Sequence, residues 1–370
     1  MHKTLTLILA SYNMEEYLPR CIDSLGIDVL NGVKLSDGCS LADRLEVLII
    51  NDGSSDNTSE VAHGLEAKYP GIVRAIDKAN GHYGSCVNRG VAEATGTFVK
   101  LLDPDDTFDA NTFQSYLRFL AEVCEMGDRG EVDLVVSDFQ KIDFKGNAYD
   151  VCRSFPYPID CAFDVESMAK YGFYYYLMPA ITYRTERLRG MGYRQSEGVL
   201  YSDTEWVLTP LCCVRKVRYF PKLLYLYYMG REGQSMEAET FRRNIVHLVK
   251  VKRNIVAWGA RQEEYASDAN RITIQSLILK SVGSLYISFF LEHGPKEIGT
   301  LLRGFDAEIM CLDKRLYAKL RAITLPRRHG FHYIRFWQDH KWADGLVCWF
   351  LHCYVPLVRI FVRYFSREGK

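Results

Sequence analysis

Between Leu5 and Asp138 the chain alternates short apolar, β-prone runs with segments of helical periodicity, and no other feature constrains the fold as much. Leu5 to Ala10, Leu45 to Ile50, Ile72 to Ile76, Thr97 to Leu102 and Val132 to Ser137 read as strands. Glu15 to Leu25, Asp56 to Tyr69, Gly84 to Ala94 and Phe108 to Cys124 carry helical spacing, with Asp56 or Thr58 available as a cap for the second. Largely apolar strands (Glu46 is the exception in Leu45 to Ile50) suit a parallel sheet covered by helices on both faces. Such α/β sheets bind ligands outside the carboxyl ends of their strands. Three polar loops fall there: Ser11-Tyr12-Asn13, Asn51-Asp52-Gly53-Ser54 and Asp103-Pro104-Asp105-Asp106.

The third loop is the most informative of them. Phe98-Val99-Lys100-Leu101-Leu102 delivers three carboxylates to one point just past a strand end. Carboxylates so close repel one another unless a cation or a partner sits between them. Oxygen-rich clusters suit hard divalent ions such as Mg²⁺ or Mn²⁺, which often bridge substrate phosphates. An Asp-x-Asp by itself is equally an acidic turn or a helix cap. Pro104 stiffens the turn and removes one donor from it. Asp106 is expected to cap the following helix or to support the other two acids.

The 370 residues, 48% hydrophobic and 25% charged, suffice for two domains or one large domain with an appendage. The 46 basic and 46 acidic residues cancel, which argues against a general nucleic-acid binder. The 11 cysteines are odd in number and include no Cys-x-x-Cys pair, so they read as reduced thiols of a cytoplasmic protein. Adjacent Cys212 and Cys213 point apart on any regular element. The N-terminal apolar run is too short for a signal peptide and reads as the first strand.

After Asp138 the alternation breaks down. Short aromatic strands, at Phe173 to Tyr176 and Leu223 to Tyr228, mix with Gly- and Arg-rich loops, and from Glu237 the chain turns helical through Phe241 to Trp258 and Asn270 to Leu291. Leu346 to Val358 is apolar, is interrupted by Pro356, and falls short of the ~20 clean apolar residues of a spanning helix. Trp342, Trp349, Phe350, Tyr354, Leu357 and Phe361 form a stripe there, with Arg359, Arg363 and Arg367 on a basic edge. That mixture suits a helix lying in an anionic membrane surface, or one packed on Phe241 to Leu291.

Five motifs then occur in order: Ser11-Tyr12-Asn13, Asn51-Asp52-Gly53-Ser54-Ser55-Asp56, Asn80-Gly81 to Asn88-Arg89-Gly90, Ala94-Thr95-Gly96 and Asp103-Pro104-Asp105-Asp106. Together they resemble the nucleotide-sugar domain of the family-2, GT-A-fold inverting glycosyltransferases. The likeness covers the first third of the chain and continues more loosely to about residue 235. It implies a GT-A-type, mostly parallel sheet flanked by helices over residues 1–235, and a helical region over 236–370. It implies Asp52 as the contact to base or ribose, and Ser11, Tyr12, Asn13, Asn80, Gly81, Asn88 and Asp103 as further donor contacts. Asp103 and Asp105 would hold Mn²⁺ or Mg²⁺. The loop Lys78 to Gly84, leading into a helix, suits a sugar or diphosphate through exposed N–H groups. Arg231 and Ser235 resemble a loop that closes over the donor, although a plain solvated loop fits them equally.

An inverting transfer also needs a base for the acceptor hydroxyl. Relatives carry Glu-Asp at a helix start well after the metal motif; here Ser202-Asp203 stands in similar surroundings. Asp203 is the expected base and Glu205 the fallback, unless Ser202 or Asp203 merely caps a helix from Thr204 to Cys213. The activity implied is transfer of a sugar, from a UDP-sugar, to a hydroxyl of a glycan, lipid-linked or polymer acceptor. Two other readings stand beside it. A catalytically inactive sugar- or polymer-binding module is one, kept open by Ser202. A nucleotidyltransferase is the other, against which the acidic Met14-Glu15-Glu16 counts where a basic phosphate loop belongs.

Overall fold

The computed structural model describes residues 2–125, 131–143, 145–152, 157–170, 177–230, 238–261, 268–324 and 330–365. It divides into two compact units, Met1–Gln234 with Ala266–Thr273, and Ser235–Tyr265 with Ile274–Lys370.

The first unit is built on one sheet. Its strands are β1 (Leu5–Ser11), β2 (Leu45–Asn51), β3 (Val73–Asp77), β4 (Phe98–Leu101), β5 (Thr107–Phe108), β6 (Leu134–Asp143), β7 (Ala148–Cys152), β8 (Phe163–Asp164), β9 (Ile181–Arg184) and β10 (Lys216–Met229). They lie in the order β3-β2-β1-β4-β9-β6-β10-β5, with β7 on β6 and β8 on β10. β3, β2, β1 and β4 pair parallel. β9 pairs antiparallel with both β4 and β6, so β6 and its parallel neighbour β10 run in the same direction as β4. The sheet is therefore mostly parallel in direction, with helices Thr58–Lys68, His82–Glu93 and Ala110–Glu125 in the connections.

β2 is buried along its whole length, as its apolar run requires. Glu46 is tolerated because Thr6, opposite it in register, donates to Oε2 at 2.6 Å and the Thr95 N–H does so at 2.7 Å. A side chain on Gly96 would come within 2.6 Å of the Thr6 nitrogen, so this glycine allows the backbone to close on β1. Ala94-Thr95-Gly96 thus serves the entry side of the sheet, at the opposite end from the polar loops.

Several local expectations need correction. Asp106 does not cap the helix after the acidic turn: that helix starts at Ala110, and Asp109 Oδ1 accepts the Thr112 N–H at 2.8 Å. The stretch Thr204 to Cys213 is not one helix but Asp203–Leu208 followed by a tighter 3₁₀ turn, Thr209–Cys213, where Pro210 has no N–H to continue the ladder. In that turn Cys213 Sγ donates to the Pro210 carbonyl at 3.1 Å. All eleven cysteines are free thiols. Phe173 to Tyr176 lies outside the described residues.

The second unit is helical. Ile245–Arg261, Arg303–Leu312, Lys314–Arg321, Tyr333–Asp339 and Asp344–Phe365 are its main helices, together with the later turns of Asp268–Glu292. Its core is aromatic: the Trp337 ring lies 5.6 Å from Phe290 and 5.9 Å from Tyr286. Asp344 Oδ1 accepts from both Trp337 Nε1 and Arg303, fixing the start of the last helix. Pro356 does not interrupt that helix, which runs on to Phe365. Among the described residues one helix, Asn270–Glu292, is long and apolar enough to cross a membrane. Ile278, Val282, Leu285, Tyr286 and Phe289 along it are buried in protein.

Candidate active site

The carboxyl ends of β1, β2 and β4 present their loops on one rim. Ser11 is buried and its carbonyl takes the Asp52 N–H at 2.8 Å, so it joins two loops through the backbone. Asn13 sits at φ 54°, a left-handed conformation, and its Oδ1 accepts the Ser55 N–H at 2.9 Å. The N–H groups of Asn13, Met14 and Glu15 donate to Ser54, Thr58 and Asp56. Asn13, read as a donor contact, thus has its amide oxygen engaged by the neighbouring loop. Tyr12 is 48% exposed on the same rim.

Asp52 is buried and faces the start of helix His82–Glu93, not the helix that follows it in sequence. Its Oδ1 receives Lys78 Nζ at 2.6 Å, the Gly81 N–H at 3.0 Å and the Ser85 hydroxyl at 3.4 Å. None of these contacts uses Oδ2. Asn80 Nδ2 donates to the Asp52 carbonyl at 2.9 Å, which clips the two loops together. The Gly81 N–H, expected to meet an anionic ligand, is spent on Asp52 instead.

Past β4 the acidic turn is half sunk into the protein. Asp105 and Asp106 are buried, whereas Asp103 keeps partial exposure. Burial, and then the Asp105 and Asp203 charges, push the Asp103 carboxyl up to about 7 against the Tyr83 hydroxyl, which donates to Oδ1 at 3.0 Å. Asp106 is also raised, by burial and then by Asp105 and Asp103. It is held by the Tyr225 hydroxyl at 2.6 Å and the Tyr228 N–H at 2.7 Å, so it supports the turn from beneath. Arg20 donates to the Asp105 carbonyl and lies over the Tyr228 ring, 4.4 Å from its centroid.

The segment carrying Asp203 is brought to the same place by helix His82–Glu93. A side chain on Gly84 would stand 2.0 Å from the Ser196 carbonyl, so glycine there permits the close approach. Asn88, expected to touch the donor, pins this segment: Oδ1 accepts the Gln195 N–H at 2.8 Å, and Nδ2 donates to the Gln195 carbonyl and to Glu197. Gln195 Nε2 in turn reaches the Ser202 hydroxyl at 3.0 Å. Glu205 is buried, and its two oxygens accept from the Ser196 N–H at 2.6 Å and hydroxyl at 2.7 Å. Its carboxylate anchors the segment and is poorly placed to be the fallback base. Asp203 is exposed at the first position of its helix. Its charge bears on Asp103, Tyr83, Tyr201 and Tyr227, which locates it at the acidic turn.

Several contributors were not singled out in the sequence: Lys78 and Tyr83 within the loop Lys78 to Gly84, and Gln195, Tyr225 and Tyr227. Burial and then the charges of Asp103, Asp106, Asp203 and Asp105 push the Tyr227 hydroxyl well up, so this phenol stands among all four acids. Tyr225 and Tyr227 are two apart on a strand and share a face, a pattern open to detection by alternation. Among the described residues, Asn13, His82 and Tyr201 are the non-glycine positions with positive φ, and all three border this site. Backbone strain of this kind collects at functional sites. Also among the described residues, no three His, Cys, Asp or Glu side chains form a ready cage for a metal. Two acids with a mutual repulsion fit instead an ion completed by ligand phosphates. Arg231 and Ser235 lie outside the described residues.

Residues 6–159 match the model of glycosyl transferase family 2. An uncharacterized glycosyltransferase of Mycoplasma pneumoniae is 37% identical over 111 residues, 30% of this chain and 33% of that protein. The minor teichoic acid biosynthesis protein GgaB of Bacillus subtilis is 29% identical over 130 residues, 35% of this chain and 13% of its own. The matched segment thus spans a third or less of the length of these relatives. Among solved structures, S. aureus TarS 1–349 in complex with UDP-GlcNAc superposes with a TM-score of 0.62 at 18% identity, covering 85% of this chain and 83% of that one. At that identity the likeness is one of fold.

Proposed function

Residues 6–159 match glycosyl transferase family 2, and from that premise we propose that the chain moves a sugar from a UDP-sugar to an acceptor hydroxyl with inversion at the anomeric carbon. The observation that supports this reading is the acidic turn Asp103-Pro104-Asp105-Asp106 at the carboxyl end of β4, on the rim that also carries the buried Asp52, with the charge of Asp203 felt at Asp103. Asp52 would meet a base N–H or ribose hydroxyl, with Tyr12 exposed on the same rim. Asp103 and Asp105 would hold Mn²⁺ or Mg²⁺, which offsets the charge of the departing nucleoside diphosphate when bound. Asp203 takes the acceptor proton as the hydroxyl attacks. Residues 1–235 form the catalytic domain in this reading. The choice of UDP draws on TarS, whose complex holds UDP-GlcNAc, and a glycan, lipid-linked or polymer acceptor draws on GgaB. Free thiols favour a cytoplasmic setting. Calorimetry of UDP against GDP, with and without Mn²⁺, tests the donor assignment. Mn²⁺-dependent UDP binding supports it, and its absence for both nucleotides defeats it.

We further propose that the region around the last helix meets an anionic membrane surface. Trp342, Leu346 and Trp349 are 68%, 44% and 64% exposed, while Val347, Cys348 and Leu351 are buried. Phe350 does not belong to the exposed stripe, because it packs on Phe331 and stacks on Tyr354. The side chains of Leu357 and Phe361 lie outside the described residues. Exposed tryptophans, followed in the sequence by Arg359, Arg363 and Arg367, whose side chains lie outside the described residues, match the chemistry of an anionic interface. We expect the protein to sediment with anionic vesicles but not with zwitterionic ones, and the double variant Trp342→Ala, Trp349→Ala to stay in solution. Equal binding by the double variant, or none by the natural chain, rules the contact out.

A further inference from the structure

We propose that Tyr225 is a positioning residue for the acidic turn, setting the direction in which Asp103 and Asp105 present their carboxylates. The inference rests on reading that turn as the site of a cation and a diphosphate.

The Tyr225 hydroxyl is a bridge. It accepts the Asp103 backbone N–H at 3.1 Å and donates to Asp106 Oδ2 at 2.6 Å. Asp106 is fully buried, and its other oxygen takes the Tyr228 N–H at 2.7 Å. Within the turn the Asp106 N–H closes on the Asp103 carbonyl at 3.0 Å. Both ends of Asp103-Pro104-Asp105-Asp106 are thereby tied to β10. Pro104 contributes no N–H, so the turn has one donor fewer with which to fix itself.

The bridge is rigid at its other end. Tyr225 is fully buried in β10, which pairs with β6 along most of its length and with β5 through Phe108. Its ring meets Phe108 edge-on, with centroids 5.5 Å apart, and lies 5.8 Å from Lys100 Nζ. Lys100 is itself held by the carbonyls of Pro179 and Ile181. One phenolic oxygen, fixed by the sheet, therefore orients the loop whose carboxylates would meet the ion. Groups that orient metal ligands typically contribute about 10–100-fold to metal affinity.

Calorimetry of UDP with and without Mn²⁺ on the whole chain tests this with three variants. Tyr225→Phe removes only the bridging oxygen, and Asp105→Asn removes a proposed ion ligand. Tyr116→Phe is the control: this buried tyrosine donates to Thr182 at 2.8 Å and makes no hydrogen bond to the turn. The expected result is about a tenfold loss of Mn²⁺-dependent UDP affinity in Tyr225→Phe. UDP affinity without metal should not change, and Tyr116→Phe should alter only the thermal midpoint. Wild-type affinity in Tyr225→Phe, while Asp105→Asn loses it, overturns the positioning role alone. Wild-type affinity in both overturns the cation reading and this inference with it. An equal loss in Tyr116→Phe also overturns the positioning role, because general loosening of the sheet then explains the effect.

Discussion

Asp203→Asn is expected to lower turnover by ~10² or more with UDP affinity unchanged. The substitution keeps the shape of the side chain and removes its capacity to take a proton. Asp203 is exposed at a helix start, so the fold has little to lose. Its charge helps to raise the Asp103 carboxyl. Glu205→Gln makes the natural comparison. Its carboxylate holds the Ser196 backbone and hydroxyl, so that change should loosen the segment and lower thermal stability before it touches chemistry. If Asp203→Asn turns over normally and Glu205→Gln is inactive but folded, the two roles are reversed. If both turn over normally, the base lies elsewhere.

Asp105→Asn should abolish Mn²⁺-dependent UDP binding and leave the protein folded. Asp105 lies beside Asp103 and Asp106, and its charge raises both of them. Losing that charge relieves repulsion in the turn, so the thermal midpoint without metal should hold or rise. An ion shared between two carboxylates and a diphosphate has few other protein ligands to fall back on. Titration of UDP in the presence of Mn²⁺ reads the effect directly. Unchanged affinity would remove Asp105 from the ion site.

β1, β2, β4 and the start of β6 were legible because each is a local, nearly continuous apolar run, whereas the two-residue β5 at Thr107–Phe108 lies where the sequence reads as helix. β1, β2 and β4 end in polar loops at the positions the alternation implies. β9 was not legible: four residues, Ile181–Arg184, slip antiparallel between β4 and β6 from a region of irregular pattern. The site divides in the same way. Asp52, Asp103 and Asp105 stand in recognisable loops at strand ends, and Asp203 stands at a helix start, its charge felt at Asp103. Their supports are invisible locally, because Tyr225 meets Asp106 across 119 residues and Asn88 meets Gln195 across 107. Asn13 in its rim loop and Asn88 on helix His82–Glu93 each bind a neighbouring segment, and in the sequence such a polar residue reads like a ligand contact. Pro356 misled for another reason. A proline removes one helical hydrogen bond, and a helix of 22 residues runs through that loss.

The proposed transfer requires this rim to break the bond between a sugar and a nucleoside diphosphate. Release of UDP from a panel of UDP-sugars, by the full chain with Mn²⁺ and without added acceptor, measures that bond cleavage directly, water serving as the slow acceptor. The account predicts UDP release from at least one sugar, lost on chelation and in Asp105→Asn. A chain that binds UDP-sugars tightly yet releases no UDP from any of them, with or without glycan and polymer acceptors, would be a binding module and would contradict it.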